Sequence, residues 1–197
     1  MIAPTWRLYL AGKYSSQEDR FLYSETLKKS HFYAFFNSVI NDKHLLECME
    51  RNHVFGYLKL HPMMKDNAVD FQYNDIIQSY SNNLDLNPEN ISLLVTDYSS
   101  IIFDYAFLGI PSIYAQFDKS EFYAAHSYKE GYFDYENMGF GPVCYDYEST
   151  VAAIIKAIEN NCVMDEKYKN RVNNFFAYHD NKNCERIYQE ILKLDKE

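Results

Sequence analysis

The hydrophobic residues of the chain form short apolar runs that alternate with stretches of helical spacing. Residues 91–95 form an apolar run, as expected for a central parallel strand covered on both faces, and residues 53–62 and 112–115 also have strand character. The spacing in between predicts helices over residues 15–29, 32–52, 101–108, 149–160, 165–178 and 183–193. Strands that alternate with helices predict a doubly wound α/β fold with a parallel sheet, and residues 1–197 fit a single domain.

Two regions lack a regular pattern. Residues 63–90 are polar and turn-rich apart from a short apolar patch at residues 76–77, and residues 116–147 form a long segment rich in aromatic residues, glycine and proline. A loop of that length in a compact domain is usually functional or a lid. The chain also opens directly on what has the pattern of a strand end, so we expect the natural chain, or a partner subunit, to continue upstream.

The amino-acid composition limits the kinds of molecule that this chain is expected to bind. A hydrophobic content of 47% with 24% charged residues is typical of a globular protein, and the net charge of −9 argues against binding to nucleic acid. A single bound phosphate is compatible with this charge, because it needs only local donors. The four cysteines are scattered, so neither a metal site nor a disulfide framework is predicted, and no cofactor is expected. No apolar run approaches the roughly 20 residues of a membrane span, which predicts a cytoplasmic protein.

Residues 96–100 (TDYSS) are the strongest candidate for a ligand site. They follow a predicted buried strand and precede a helix, and ligands of open α/β sheets bind where helix amino termini meet the carboxyl ends of strands. We therefore predict a phosphate site here, in which Ser99 and Ser100 supply hydroxyl donors, and we expect Thr96 and Asp97 to bind the substrate as well. The alternative, equally weighted on this segment alone, is that Ser99 or Asp97 only caps the helix. Asp104 lies on the same helix face as Ser100 and could accept hydrogen bonds from ribose hydroxyls.

Two further segments are expected at the same edge of the sheet. His61 ends a strand before Pro62 and could stabilise negative charge on a leaving phosphate, although a turn residue is the more common role of such a dipeptide. Lys59 faces the same side of that strand. Near the amino terminus, residues 4–7 (PTWR) supply a hydroxyl and a guanidinium for phosphate or acceptor. Among the other histidines, only His126 is retained, as a weaker candidate.

Taken together, these segments resemble the CDP-glycerol glycerophosphotransferase family of teichoic acid and capsule polymerases. The matching segments run in order along essentially the whole chain. They are residues 3–7 (APTWR), 58–62 (LKLHP), 94–104 (LVTDYSSIIFD), 109–111 (GIP), 116–118 (QFD), 131–135 (GYFDY), 139–143 (GFGPV) and 180–186 (DNKNCER).

The resemblance implies a fold and a set of site residues. It implies a Rossmann-like domain that corresponds to the carboxyl-terminal, nucleotide-diphosphate-binding half of a two-domain GT-B-like transferase. Two segments would line the donor's diphosphate, namely Pro4 with Thr5, and Lys59 with Leu60 and His61. Arg7 is also expected to bind the substrate. Ser99 and Ser100 would bind the donor's phosphates and Asp104 would complete the donor site. His61 is the residue expected to take part in catalysis.

The resemblance also implies a reaction, but this chain lacks one segment that the reaction needs. Glycerol phosphate, or a related alditol phosphate, would move from a CDP-linked donor such as CDP-glycerol to a hydroxyl of a polymer or lipid-linked acceptor, and CMP would be released. The family's Trp-His-Gly-Thr-Pro segment, which carries its general base, does not occur here. We expect an amino-terminal acceptor domain or a partner subunit to supply this base. Any contact with the inner face of the membrane would also come from that domain or partner. The alternatives are a non-catalytic donor-binding half and a ribitol-phosphate or sugar-phosphate transferase.

Overall fold

The computed structural model describes residues 1–80, 88–125 and 129–194, so that His126 lies outside the described residues. Its strands are β1 (Tyr14–Ser15), β2 (Arg20–Phe21), β3 (Gly56–Leu58), β4 (Ile77–Ser79), β5 (Leu94–Thr96), β6 (Ser112–Ala115) and β7 (Val143–Cys144). Its α-helices are α1 (Glu25–Lys28), α2 (His31–Ile40), α3 (Lys43–Arg51), α4 (Ile101–Phe107), α5 (Lys119–Ala125), α6 (Tyr135–Met138), α7 (Tyr147–Glu159), α8 (Glu166–Phe175) and α9 (Asn183–Leu194). The described 3-10 helices are Leu8–Leu10, Pro62–Asp70 and Pro88–Asn90.

A parallel sheet organises the domain. β3 pairs with β4, and β6 pairs with both β5 and β7. Ile2 forms parallel bridges to Leu58 and to Val95, so the first residues of the chain join the two groups of strands. The order is therefore β4-β3-Ile2-β5-β6-β7, which is the doubly wound order 3-2-1-4-5-6 when the segment around Ile2 is counted as the first strand. The predicted doubly wound α/β architecture is confirmed.

Alternate residues of the central strands face two different cores, because successive side chains of a strand point to opposite faces of the sheet. Val95 and Ile113 belong to the larger core, into which α2, α3 and α7 place their apolar faces. Leu94 and Tyr114 face the other side and pack with Ile102 of α4. Every residue of β5 is consequently buried, which explains why the successive residues Leu94 and Val95 are both apolar.

The helix predicted over residues 15–29 is wrong over most of its length. This segment contains the antiparallel hairpin β1–β2, and α1 begins only after Ser24, whose hydroxyl accepts a hydrogen bond from the N–H of Thr26 (3.3 Å). The side chain of Arg20 in the hairpin forms an ion pair with Asp66. That partner is remote in sequence, so the local helical pattern gave no sign of the hairpin.

The irregular regions also contain regular elements that the sequence did not reveal. The 3-10 helix Pro62–Asp70 and β4 lie within residues 63–90, and α5, α6 and β7 lie within residues 116–147. β4 has three residues and β7 has two, which is too short for a periodic pattern to appear. Their parallel pairing with β3 and β6 is what makes them strands.

The helix predicted over residues 32–52 is two helices, α2 and α3. The break is at Asp42, whose carboxylate accepts a hydrogen bond from the N–H of Leu45 (2.8 Å) and so caps the start of α3. The same carboxylate accepts a hydrogen bond from the Tyr147 hydroxyl. Burial alone would raise the pKa of Asp42, but the hydrogen bonds from Tyr147 and from Leu45 lower it below its ordinary value.

We expect Asp42→Ala to lower the free energy of unfolding by about 1 kcal/mol at pH 7, since an N-cap is lost. A depressed pKa in the folded state stabilises the protein above the unfolded-state pKa, and this contribution disappears as the pH falls through the folded-state pKa. The difference between wild type and Asp42→Ala should therefore shrink when urea unfolding is repeated below about pH 4. Asp42→Asn retains a capping oxygen and should lose less at pH 7. A pH-independent difference would contradict the assignment.

Candidate functional site

Three loops meet at the carboxyl edge of the sheet. They follow Ile2, β3 and β5, and the strand order reverses between Ile2 and β5, which is where open α/β sheets bind ligands. The N–H of Ala3 donates to the carbonyl oxygen of Val95 (2.8 Å), and the N–H of Lys59 donates to the carbonyl oxygen of Ile2 (2.8 Å). These bonds fix the starting points of all three loops relative to one another.

A buried cluster of charges connects the loop that follows Ile2 with the loop that follows β5. The Nε of Arg7 donates to Asp118 (2.7 Å), and its Nη2 donates to Asp97 (2.8 Å) and to Asp118 (3.0 Å). Its Nη1 donates to the carbonyl oxygen of Thr5 (2.6 Å), and the guanidinium lies 4.7 Å from the centre of the Phe122 ring. Asp97 also accepts the N–H of Thr5 (2.8 Å). The cluster thus joins the loops that follow Ile2, β5 and β6.

The environment of Arg7 corrects the expectation that its guanidinium is available to a ligand. The side chain has no exposed surface, and neither does that of Asp97. Burial alone would lower the pKa of Arg7, but the carboxylates of Asp97 and Asp118 raise it above its ordinary value, so the charge is retained inside the protein. Thr96 is also fully buried, and its hydroxyl donates to the carbonyl oxygen of Ala3 (2.7 Å). The loops are therefore held in position by side chains inside the protein, those of Arg7, Thr96 and Asp97.

Asp118 and Gln116 belong to this support and were not among the predicted site residues. The Nε2 of Gln116 donates to the carbonyl oxygen of Asp97 (3.2 Å), and Asp118 receives two of the bonds from Arg7 and one from the Tyr98 hydroxyl (3.2 Å). Both residues are buried. A signal existed in the sequence, since polar residues directly after the buried strand β6 fall at the same carboxyl edge as Asp97.

Pro4 and Thr5 lie at the switch point, as predicted. Thr5 is 8% exposed, and its side-chain oxygen has no hydrogen-bond partner among the described residues. A buried hydroxyl without a partner is costly, because it has lost its hydrogen bonds to water. Such an atom is what a ligand oxygen bound at this edge would satisfy.

His61 is exposed, and one of its two ring nitrogens is hydrogen-bonded to the backbone. Its Nδ1 accepts a hydrogen bond from the N–H of Met63 (3.2 Å), which assigns the proton of the neutral ring to Nε2. Partial burial of the ring lowers the pKa of His61, so the neutral form is favoured. The ring stacks on Trp6 (centres 6.1 Å apart, 25° between planes), the residue after Thr5. This contact ties the β3 loop to the loop that follows Ile2, with a neutral N–H donor at the edge.

Ser99 and Ser100 differ in their roles. The N–H of Ile101 donates to the hydroxyl of Ser99 at 3.4 Å, which is a long capping bond. Ser100 is the N-cap residue of α4, yet its side chain makes no capping hydrogen bond, and the residue is exposed. Asp97 does not cap α4, since its carboxylate accepts from Thr5, Tyr98 and Arg7. Ser99 therefore caps α4 through a long hydrogen bond, as the alternative interpretation of this segment proposed. The hydroxyl of Ser100 does not cap the helix and can bind another partner.

Lys59 and Leu60 line a cavity of about 200 Å³ beyond the carboxyl ends of β3 and β4, here called the β3–β4 cavity. The Nζ of Lys59 lies 4.7 Å from the centre of the Tyr80 ring, which forms part of the same wall. Arg20 and Lys65 also reach this cavity. Three cationic residues therefore line this cavity together with Glu18 and Asp19, and the side chain of Arg20 is ion-paired with Glu18 and Asp66.

Asp104 lies one helical turn after Ser100 in α4 but lines a different cavity from Lys59 and Leu60. It is exposed and lines a separate cavity with Phe107, Phe176 and Tyr178, between α4 and the segment that precedes α9. Its predicted contact with a ribose hydroxyl stays a prediction. Across residues 1–80, 88–125 and 129–194, no group of three His, Cys, Asp or Glu side chains is placed to hold a metal ion. No helix in those ranges is long and apolar enough to cross a membrane.

Comparison with known proteins gives the same family along nearly the whole chain. The model of the family described as CDP-Glycerol:Poly(glycerophosphate) glycerophosphotransferase matches residues 1–193. The chain is 34% identical over 197 residues to the minor teichoic acid biosynthesis protein GgaB of Bacillus subtilis (strain 168), covering 99% of this chain and 21% of that protein. It is 26% identical over 193 residues to a teichoic acid poly(ribitol-phosphate) polymerase of Bacillus spizizenii, covering 94% of this chain and 30% of that protein.

Solved structures share the fold. The wall teichoic acid polymerase TagF superimposes with a TM-score of 0.61 at 20% identity, covering 99% of this chain and 43% of that one. A variant of the same polymerase, soaked with CDPG, gives a TM-score of 0.59 at 22% identity, covering 98% of this chain and 40% of that one. The chain thus spans less than half of the length of each of these relatives.

Proposed function

Because the chain belongs to the CDP-glycerol:poly(glycerophosphate) glycerophosphotransferase family, we propose that it forms the donor-binding part of a transferase. The reaction moves glycerol phosphate, or a related alditol phosphate, from a CDP-linked donor to a hydroxyl of a teichoic acid or capsule-type polymer. It takes place in the cytoplasm, at the inner face of the membrane where such an acceptor is presented.

One observation carries the proposal: three side-chain donors lie in the loops at the edge where the strand order reverses. They are the buried hydroxyl of Thr5, which has no partner among the described residues, and the exposed Nε2–H of His61 and hydroxyl of Ser100. Hydroxyl and imidazole N–H groups are suited to the anionic oxygens of a diphosphate, and a helix start adds the positive end of its dipole. The buried cluster around Arg7 joins the loops of Thr5 and Ser100, and the stacking of His61 on Trp6 ties the third loop to them.

The proposed mechanism follows from this arrangement. The acceptor oxygen attacks the β-phosphorus of the donor, the bond from that phosphorus to the bridging oxygen breaks, and CMP departs with the bonding electrons. Negative charge grows on the departing phosphate, where the N–H of His61 and the hydroxyl of Ser100 stabilise it. The proton of the acceptor hydroxyl passes to a base that the family carries in its Trp-His-Gly-Thr-Pro segment, outside the residues of this chain.

Two alternatives share the same donor site. A ribitol-phosphate transferase is supported by the poly(ribitol-phosphate) polymerase among the relatives. A donor-binding half that is inactive alone is supported by the small share of the relatives' length that the chain covers, 21% for GgaB. Competition between CDP-glycerol and CDP-ribitol shows which donor the site prefers and so tests the first alternative. Release of CMP by the isolated chain tests the second, because an inactive half would release none.

Calorimetry with CDP, CMP, UDP and GDP tests the donor site itself. We expect CDP to bind to the chain and Ser100→Ala to weaken that binding about tenfold, since a hydrogen bond to a charged group contributes roughly 1.5–3 kcal/mol. Stability should stay unchanged, because Ser100 caps nothing with its side chain. Ser38→Ala, an exposed serine in α2, is the matched control. Failure of the chain to bind any of the four nucleotides would remove the proposal.

A further inference from the structure

A row of aromatic rings leads from the hairpin β1–β2 to His61. The Trp6 ring stacks on the His61 ring (centres 6.1 Å apart, 25° between planes) and on the Phe21 ring of β2 (5.5 Å, 30°). Tyr14 of β1 packs edge-on against Phe21 (5.4 Å, 67°). Trp6 thus links the hairpin to the predicted catalytic side chain.

The His61 side chain needs a restraint of this kind. The residue is exposed, and exposed side chains change rotamer within picoseconds to nanoseconds. The hydrogen bond from the N–H of Met63 to Nδ1 assigns the proton to Nε2, but a single bond of 3.2 Å lets the ring turn about that contact. A flat ring that is stacked on a second flat ring loses this freedom, so the indole sets the direction of the Nε2–H bond.

We propose that Trp6 is a positioning residue for the transfer reaction, and that its ring holds the His61 imidazole with Nε2–H directed at the departing phosphate. This inference rests on the proposed function and adds a residue that acts through His61. Donors that stabilise growing charge must be in place before the reaction, and a displacement of about 1 Å can cost about 100-fold in rate. Loss of the stacked ring therefore lowers turnover although no group that contacts the donor is removed.

The hairpin also holds the backbone that carries His61. His61 is the N-cap residue of the 3-10 helix Pro62–Asp70, and Arg20 of β2 forms an ion pair with Asp66 in that helix. The hairpin is therefore connected to His61 in two ways, through the helix that follows it and through Trp6. Trp6 itself packs against the larger core, so the place of its ring is set independently of His61.

Kinetics of the intact transferase test this role. We expect Trp6→Leu to lower kcat for CMP release from CDP-glycerol about tenfold and to leave KM within about twofold, because a displaced donor affects the transition state more than ground-state binding. Trp6→Phe keeps a stacked ring and should return kcat to within about threefold of wild type. Phe55→Leu replaces a 71% exposed aromatic residue directly before β3, at the opposite edge of the sheet, and should turn over like wild type.

A double variant separates positioning from folding. His61→Ala alone lowers kcat about 100-fold or more. If Trp6 acts through His61, adding Trp6→Leu to His61→Ala changes kcat by less than about twofold, since the group that the indole positions is already absent. A residue that only supported the fold would lower kcat further in this background.

Fluorescence of the 197-residue chain tests the contact itself and needs no donor. Trp6 is the single tryptophan of the sequence, so indole emission reports on this residue. A protonated imidazole that touches an indole quenches its emission. The wild-type signal should therefore fall as the pH is lowered from about 8 to about 5, the range in which histidine gains its proton. His61→Ala should remove this step.

Phe21→Leu keeps both Trp6 and His61 and weakens the support of the indole. We expect a kcat about threefold below wild type, the size of effect that loss of one aromatic pair produces. Urea unfolding followed by circular dichroism is measured for every variant, and Phe21→Leu tests the inference where Trp6→Leu does not fold. In that case a wild-type kcat for Phe21→Leu would overturn the inference.

The outcomes distinguish this inference from the proposed function. If His61→Ala is slow and Trp6→Leu is as fast as wild type, or if Trp6→Phe is as slow as Trp6→Leu, the stacked ring does not position His61 and only the inference is overturned. The same conclusion follows if the double variant is slower than His61→Ala, or if wild-type emission shows no step that depends on His61. If His61→Ala itself turns over like wild type, the proposed role of His61 fails, and the inference fails with it.

Discussion

Arg7→Met lowers the free energy of unfolding by about 3–5 kcal/mol, the range for removing one partner of a buried ion pair. The reason is the environment of the guanidinium, which is fully buried and donates to both Asp97 and Asp118. Methionine fills much of the volume but leaves two carboxylates inside the protein without their counter-charge. Chemical denaturation monitored by circular dichroism measures the loss.

Two further variants serve as controls: one replaces an exposed arginine, and the other also removes the charges of the two buried carboxylates. Arg51 forms an ion pair with Glu159 at the surface, with side chains 66% and 54% exposed, so Arg51→Met should cost less than about 1 kcal/mol. Combining Arg7→Met with Asp97→Asn and Asp118→Asn removes the stranded charges and should recover part of the stability, because the three residues act as one unit. If Arg7→Met cost no more than Arg51→Met, the buried cluster would not hold together the loops that follow Ile2, β5 and β6.

His61→Ala reduces turnover about 100-fold or more in the intact transferase, measured as CMP release from CDP-glycerol. The side chain stabilises charge that grows on the departing phosphate, so the loss should fall on kcat more than on KM. Its neutral ring, fixed by the bond from the N–H of Met63 to Nδ1, leaves Nε2–H as the donor. Near-wild-type turnover would exclude the role.

Two controls separate chemistry from folding in this experiment. His61→Asn keeps a side-chain acceptor for the N–H of Met63, at the start of the 3-10 helix Pro62–Asp70, so local structure is retained while the ring is lost. His53 is an exposed histidine before β3, at the opposite edge of the sheet, and its left-handed backbone (φ +55°) makes asparagine the suitable replacement. His53→Asn should turn over like wild type.

The sequence predicted the fold best where a local pattern sufficed. β6 was predicted with its observed bounds, and α4, α7, α8 and α9 were each located to within a few residues of their ends. An apolar face at helical spacing or a fully apolar run is a property of neighbouring residues, so no distant partner is needed to recognise it. The switch-point segment between β5 and α4 was found for the same reason.

The prediction failed where distant residues decide the structure. The hairpin β1–β2 replaces a predicted helix, and one of its contacts, between Arg20 and Asp66, joins segments far apart in the chain. β4 becomes a strand through its parallel pairing with β3. Both elements are short, and both form walls of the β3–β4 cavity, which no motif in the sequence indicated.

The sequence by itself determined that this chain is a parallel α/β domain with Thr5, His61 and Ser100 in loops at one edge of its sheet. Only the tertiary structure decided which polar residues of those loops face outward. Arg7 and Asp97 looked as available as Ser100, yet they are buried against each other and against Asp118, 111 residues further along from Arg7. The physical reason is that a charge is kept inside a protein only when its partners converge on it, and this convergence is a property of the folded chain.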